Sequence, residues 1–172
     1  MKNSFVIAGD ITIIFLKTIL GESYETIIET DDIERVMEFP RTWCAAKREY
    51  DSRVTVTGAS GLHRWLMNPP NGFHVDHINR NPLDNRRSNL RICTPTENYR
   101  NKSTNSNNTS GATGVTRSLS KWKAFIRADG KNKYLGTFEN IEDAIIVRRE
   151  AEIKYFGEFR PMGKDDQVGT KC

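Results

Sequence analysis

Asp76 and His77 stand side by side in the stretch HVDHINRNPLDNRRSNLRICTPTEN, and Asn89 and Asn98 follow further along it. A carboxylate, an imidazole and two amides make poor core material, because each polar group buried without a partner costs about 2–7 kcal/mol. Either these groups stand in solvent or they face one another around something. A carboxylate and an amide carbonyl are hard oxygen donors. They suit Mg²⁺ or Mn²⁺, ions that keep several waters and take phosphate oxygens as further ligands. Asp76 and Asn98 are the candidate ligands. One carboxylate is too few for a closed protein cage, so a phosphodiester would complete the site. His77 titrates near neutrality and is the candidate general base toward a water. Arg80, Arg86, Arg87 and Arg91 surround the set and are suited to hold backbone phosphates. The competing structural explanation for Asp76 and His77 is a plain loop ion pair or hydrogen bond. Of the neighbours, His74 reads as an exposed strand histidine, His63 as structural, and Asp84 and Asn85 as turn formers.

The elements that must position these groups are legible around them. FHVDHI and NLRIC are short strand candidates, joined by the loop NRNPLDNRRS. TPTENYRNK carries a capping box, with Thr94 as cap, Pro95 in the first helical position and Glu97 three residues after the cap. Asn98 then falls in the first turn of a helix, and a hairpin packed on that helix brings Asp76, His77 and Asn98 together.

Asp76-His77, Asn89 and NLRICTPTEN together resemble the HNH nuclease motif of the ββα-metal superfamily, closest to the homing-endonuclease branch of phage and intron-encoded enzymes. The resemblance covers residues 60–102. It implies that His77 is the general base, that Asp76 is a metal ligand and that Asn89 holds the loop and the orientation of His77. Asn98 occupies the last motif position, where many relatives have His.

Charge along the chain supports an anionic partner. The net charge is only +4, but residues 1–62 hold 7 Lys/Arg against 10 Asp/Glu and residues 63–134 hold 13 against 4. The positive excess lies in the middle, where it attracts polyanions. Three cysteines, far apart and without a C-x-x-C pair, exclude a disulfide framework or zinc knuckle. ITIIFLKTIL is too short and too charged for a membrane span and lacks a signal-peptide layout. The expected location is the cytoplasm of a bacterial or phage-infected host cell.

The first 60 residues predict a small α+β unit. ITIIFL and YETIIET form a hairpin, Thr30 caps a short helix over TDDIERVMEF, WCAAKREY and RVTVTG form a second hairpin, and Ser60 caps SGLHRWLM. Residues 103–112 are nearly all small and polar and predict a flexible tether. Beyond it, KWKAFIRA and KYLGTF predict strands joined at Asp129-Gly130. NIEDAIIVRREAEIKYFG predicts a helix capped by Asn140, with Ile145, Val147, Ala151 and Ile153 among its apolar positions. Lys121, Lys123, Phe125 and Arg127 alternate with Trp122, Ala124 and Ile126, so one face of that sheet carries cations and an aromatic ring.

The GV, KW-A-I, YLGTF and EDA elements of residues 110–159 resemble the Apetala-two type DNA-binding domain. The resemblance implies three antiparallel strands against one helix, with the sheet on the DNA major groove. Arg127 and Tyr134 fall at DNA-contacting positions of that family, Phe125 falls where it often has a polar reader, and Arg117 lies in the loop that approaches DNA.

The expected fold class is therefore α+β: a small β-rich N-terminal unit with a ββα-metal HNH motif, then a three-stranded antiparallel sheet packed on one helix. The expected domains are a nuclease unit over 1–102, a tether over 103–112, a DNA-binding unit over 113–159 and a tail over 160–172. The expected function is a site-directed, metal-dependent endonuclease on double-stranded DNA, acting as a monomer or weak dimer and nicking one strand per engagement. A DNA-binding regulator with a non-catalytic HNH scaffold is the alternative, and a nucleic-acid packaging protein explains the charge but not the spacing.

Overall fold

The computed structural model describes residues 1–48, 51–57, 61–102 and 108–161. The chain is a mixed α+β protein that divides into two compact units, Met1–Asn98 and Tyr99–Cys172.

The first unit opens with an antiparallel meander of β1 (Phe5–Ala8), β2 (Ile11–Lys17) and β3 (Ser23–Glu29). β2 alternates as a half-buried strand should: Thr12, Ile14 and Leu16 are buried, whereas Phe15 and Lys17 are exposed. The sequence reading finds β2 and β3 but misses β1, a short edge strand whose Val6 and Ile7 stay exposed. A 3-10 turn at Thr30–Asp32 leads into α1 (Ile33–Met37). Thr30 does not cap this helix. Its hydroxyl instead donates to the Gly9 carbonyl at 2.8 Å, closing the sheet edge, and Asp32 takes the N-cap position. A hairpin of β4 (Cys44–Arg48) and β5 (Asp51–Thr57) follows, then α2 (Leu62–Met67), β6 (His74–His77), β7 (Leu90–Cys93) and α3 (Pro95–Arg100). Ser60, the expected cap of α2, lies outside the described residues, and Gly61 holds the N-cap position.

One hydrophobic cluster runs through all of these pieces. Ile14, Leu16 and Ile28 come from the meander, Trp43 and Val56 from the second hairpin region, Leu62 and Leu66 from α2, and Val75 and Leu90 from β6 and β7. Full burial of each such side chain stabilises by about 1.5–3 kcal/mol. The first 60 residues and the motif hairpin therefore share a core.

The second unit has the sheet order β10-β9-β8, with β8 (Val115–Ser118), β9 (Lys121–Ala128) and β10 (Lys131–Phe138) all antiparallel and α4 (Ile141–Phe156) packed on it. Asp129 and Gly130 adopt φ of +54° and +72°, the left-handed pair that a two-residue hairpin demands. The core face of α4 is Ala144, Arg148, Ala151 and Phe156, not the face with Ile153, which is 59% exposed. Small alanines let the helix lie close to the sheet. Arg148 is tolerated there because its Nε donates to the Thr113 carbonyl at 2.9 Å and its Nη2 meets Glu152 at 3.2 Å. Gly114 is required at φ +77°, since a Cβ there would lie 2.4 Å from the Phe125 carbonyl oxygen.

Residues 103–107 of the expected tether, and the tail beyond 161, lie outside the described residues. Ser110, expected in the tether, is buried, with its Oγ 2.7 Å from the Val115 carbonyl oxygen. Cys44 and Cys93 are free thiols. Among the described residues, no helix is long and apolar enough to cross a membrane.

Candidate active site

β6 and β7 pair antiparallel with His74 opposite Cys93, Asp76 opposite Arg91 and His77 opposite Leu90. The expected capping box forms. The Glu97 backbone N–H donates to Thr94 Oγ1 at 3.3 Å, and the Thr94 backbone N–H donates to the Glu97 carboxylate at 2.7 Å. This box starts α3 at Pro95 and aims Asn98 at the hairpin, where its Nδ2 lies 3.0 Å from His74 Nδ1. His74 and Asp76 are two residues apart and so share one side of the strand. Asn98 thus touches a residue on the same side of the strand as Asp76. Among the described residues, no three His, Cys, Asp or Glu side chains gather as a metal cluster. Asp76 and Asn98 offer one carboxylate and one amide, both with hard oxygens. They fit an ion that completes its shell with water and phosphate.

Asp76 is buried and engaged by Arg91, whose Nη2 and Nε lie 2.7 and 3.0 Å from Asp76 Oδ2. Arg86 pairs with Asp84 at 2.7 Å and Arg87 with Asp32 at 2.7 Å. Three of the four arginines read as phosphate contacts therefore make ion pairs inside the unit, although the guanidinium side chains of Arg86 and Arg87 remain 38% and 45% exposed. Arg80 is half-buried at φ +63°, where the loop leaves β6 and the Arg80 N–H donates to the His77 carbonyl at 2.9 Å.

The loop between the strands is a dense hydrogen-bonded structure. Asn89 joins its two ends: its Oδ1 accepts from the Asn79 backbone N–H at 3.0 Å, and its Nδ2 donates to Asn79 Oδ1 at 3.0 Å and to the Asp84 carbonyl at 2.8 Å. Asn89 holds the loop, then, but the side chain that reaches His77 is Asn85, whose Oδ1 is 3.2 Å from His77 Nε2. Asn85 is fully buried. In the sequence Asn85 reads as a turn former. The signal that would have found it is a partner in β3, remote in sequence.

His63, on the first turn of α2, packs its ring against the His77 ring at 5.2 Å between centroids, with the planes at 60°. Gly61 makes room for it: φ is +82°, and a Cβ there would sit 2.9 Å from His63 Cε1. The helix itself is anchored by buried Leu62 and Leu66, and Arg35 of α1 donates from Nε to the Trp65 carbonyl at 3.0 Å. Burial, and then the charges of His77 and Arg64, lower the His63 pKa to about 4. Burial also lowers the His77 pKa, against the opposing pull of Asn85, Asp76 and Asp84.

The His63 shift has a consequence for stability. In the unfolded chain a histidine titrates near 6.5. Between that value and about 4 the unfolded state binds more protons, so stability rises with pH over this window. It is fully present above 6.5, declines as pH falls and levels off below the folded value. His63→Gln is expected to lose less stability than wild type between about pH 7 and about pH 5. Urea midpoints of both proteins at the two pH values check this, and an equal loss would count against a neutral His63 in the folded state.

In the second unit, the strand alternation is as expected. Ala124, Ile126 and Ala128 are buried, and Lys123, Phe125 and Arg127 lie on the opposite face. Tyr134 pairs with Phe125 across the strands, and their rings are 5.6 Å apart. Arg117 does not join them. It pairs with Trp122 and sets its guanidinium over that ring at 5.9 Å, on the side that faces the helix. Thr116, paired with Lys123, and Ser118, paired with Lys121, are the β8 residues on the free face.

The HNH endonuclease family model matches residues 63–100, which span α2, the hairpin and α3. Over 95 residues the chain is 36% identical to Protein 3.8 of Escherichia phage T7, a match covering 53% of this chain and 78% of that protein. Over 131 residues it is 34% identical to the Uncharacterized HNH endonuclease L560 of Acanthamoeba polyphaga mimivirus, covering 72% of this chain and 67% of that protein. No solved structure matches the chain. The hairpin, its loop and the following helix lie within the matched segment, and the chain is a nuclease that acts on DNA. The chain belongs to the HNH endonuclease family. HNH nucleases generally use a divalent metal.

Proposed function

We propose that this chain is a metal-dependent, site-directed DNA endonuclease of the homing type, which cuts one strand per engagement. The observation that carries the reading is local: the strand that ends in His77 also carries Asp76, and Asn98 of α3 lies against the same strand. His77 is the general base toward a water. Asp76 and Asn98 would hold a divalent ion, Mg²⁺ by preference and Mn²⁺ as the substitute, with Arg91 keeping the carboxylate in place. When bound, that ion supplies charge stabilisation at the phosphorane and the leaving oxygen. Asn89 keeps the loop closed, and Arg80, Arg86 and Arg87 offer cations to the DNA backbone.

The second unit acts as the reader, in the manner of an Apetala-two type domain. Its three strands and covering helix support that likeness, as does a free face bearing Lys123, Phe125, Arg127 and Tyr134. Cations beside aromatic rings on a sheet suit the major groove. Protein copies act singly or as a weak dimer, because one such site cuts one strand. The phage and viral relatives favour action inside an infected host cell.

The test is supercoiled plasmid with Mg²⁺, Mn²⁺ or EDTA. Open circles should accumulate ahead of linear DNA with metal, and no product should form in EDTA. Linear product from the outset would mean paired action. DNA binding without cleavage would favour a regulator with a non-catalytic scaffold.

The reader makes a separate prediction. Arg127→Ala and Tyr134→Ala should each cost about 1–3 kcal/mol of binding at the preferred site, and less on random DNA. Gel-shift titrations of both DNAs at one fixed salt concentration measure this, since phosphate contacts make affinity salt-dependent. Equal losses on both DNAs would mean that the face supplies only charge.

A further inference from the structure

We infer that Asn85 is the positioning residue of His77 and that the N-terminal sheet holds Asn85 in place through Thr26. The inference rests on the reading of His77 as general base. It assigns a role to the meander, which shows no chemistry of its own in the sequence.

The chain of contacts runs outward from a hydroxyl. Thr26, fully buried on β3, has its Oγ1 donating to the Leu83 carbonyl at 2.7 Å. A hydroxyl has one hydrogen, so toward its next neighbour this oxygen is an acceptor. Asn85 Nδ2 donates to it at 2.8 Å, and to the Pro82 carbonyl at 3.0 Å. Both amide hydrogens face acceptors, so the Asn85 amide cannot be turned the other way without setting oxygen against oxygen. Its Oδ1 must therefore face His77 Nε2, at 3.2 Å. An amide oxygen has no hydrogen to give, so Nε2 carries the imidazole hydrogen and the lone pair resides on Nδ1. Nδ1 is accordingly the atom that takes the proton from water.

The backbone holds the same register. Ile27 pairs with Asp84 in a parallel bridge, the Ile27 N–H donates to the Leu83 carbonyl at 3.0 Å and the Asn85 N–H donates to the Ile27 carbonyl at 2.9 Å. The catalytic loop is thus stitched to β3 directly beside Thr26. Further along, the Glu29 carboxylate accepts from the backbone N–H groups of Arg87 and Ser88. A loop made only to turn the chain has no need of a fully buried amide whose oxygen points at a histidine.

The test compares full-length wild type with Asn85→Ala, Thr26→Val and Thr26→Ser on supercoiled plasmid with Mg²⁺. Asn85→Ala should lower kcat on the order of 10²-fold, the scale of a misplaced catalytic group. KM for DNA should stay unchanged, because neither residue lies on a DNA-contacting face. Thr26→Val should lower kcat less, since the Pro82 carbonyl still holds the amide, and Thr26→Ser should keep wild-type kcat. Nitrogen-15 NMR of the imidazole rings supplies a readout that a general loss of structure would not mimic. His77 should show the Nε2–H form in wild type and a mixture of both neutral forms in Asn85→Ala. Unchanged kcat, or an unchanged ring signal, in folded Asn85→Ala would overturn the inference. If Asn85→Ala does not fold, equal kcat in Thr26→Val and Thr26→Ser would overturn it instead. Absence of cleavage by wild type would sink the nuclease reading, whereas the ring signal alone still decides whether Asn85 orients His77.

Discussion

His77→Ala is expected to cut DNA about 10²–10⁴-fold more slowly than wild type, the usual contribution of a general base. Affinity for DNA should be nearly unaffected. His77 is half-buried between the His63 ring and Asn85, a position suited to a proton acceptor rather than to a phosphate contact. Exposed cations lie elsewhere, on Arg86, Arg87 and the free face of β9. The substitution also leaves Asn85 Oδ1 without its imidazole partner, which costs about 1–3 kcal/mol for a buried acceptor. Single-turnover cleavage is therefore measured beside a thermal melt. A folded His77→Ala protein with the wild-type rate would remove His77 from the chemistry.

Arg91→Ala is expected to cost about 3–5 kcal/mol of stability, because it leaves a buried carboxylate without its cation. The side chains of Arg91 and Asp76 are only 11% and 9% exposed, and the pair closes at 2.7 Å. Water can do little to replace the guanidinium. The contrast is Lys121 with Glu139 in the second unit, a pair 50% and 71% exposed. Breaking that one should cost little, because water screens it. Adding Asp76→Asn to Arg91→Ala should recover part of the loss, since no buried charge then remains. Urea denaturation of the single and double variants measures both effects. A loss below about 1 kcal/mol in Arg91→Ala would show that solvent reaches Asp76 freely.

Much of the site is local and could be read from residue order. The capping box of Thr94 and Glu97, the strands around Asp76 and Arg91 and the turn at Asp129-Gly130 depend on neighbours a few residues away. Local hydrogen bonds and φ preferences act over that distance, and the sequence displays them directly. The alternation of Lys123, Phe125 and Arg127 with Ala124 and Ile126 is legible for the same reason: strand period is a property of the backbone. Other expectations depended on more than order. Thr30 has the composition of a cap but takes the Gly9 carbonyl instead, and Arg117 faces Trp122 because register, not proximity in sequence, chooses its side. Arg86, Arg87 and Arg91 read as surface cations until Asp84, Asp32 and Asp76 are seen beside them.

What the sequence alone determined was the identity and spacing of the candidate site residues, Asp76, His77, Asn89 and Asn98, and the hairpin and helix that carry them. Only the tertiary structure decided which side chain orients His77. Asn85 owes its direction to Thr26, fifty-nine residues away along the chain. No local pattern marks that bond, because it exists only once a shared core has packed the meander against the motif. A buried amide must then satisfy every hydrogen-bonding atom it has, and the histidine supplies the last partner.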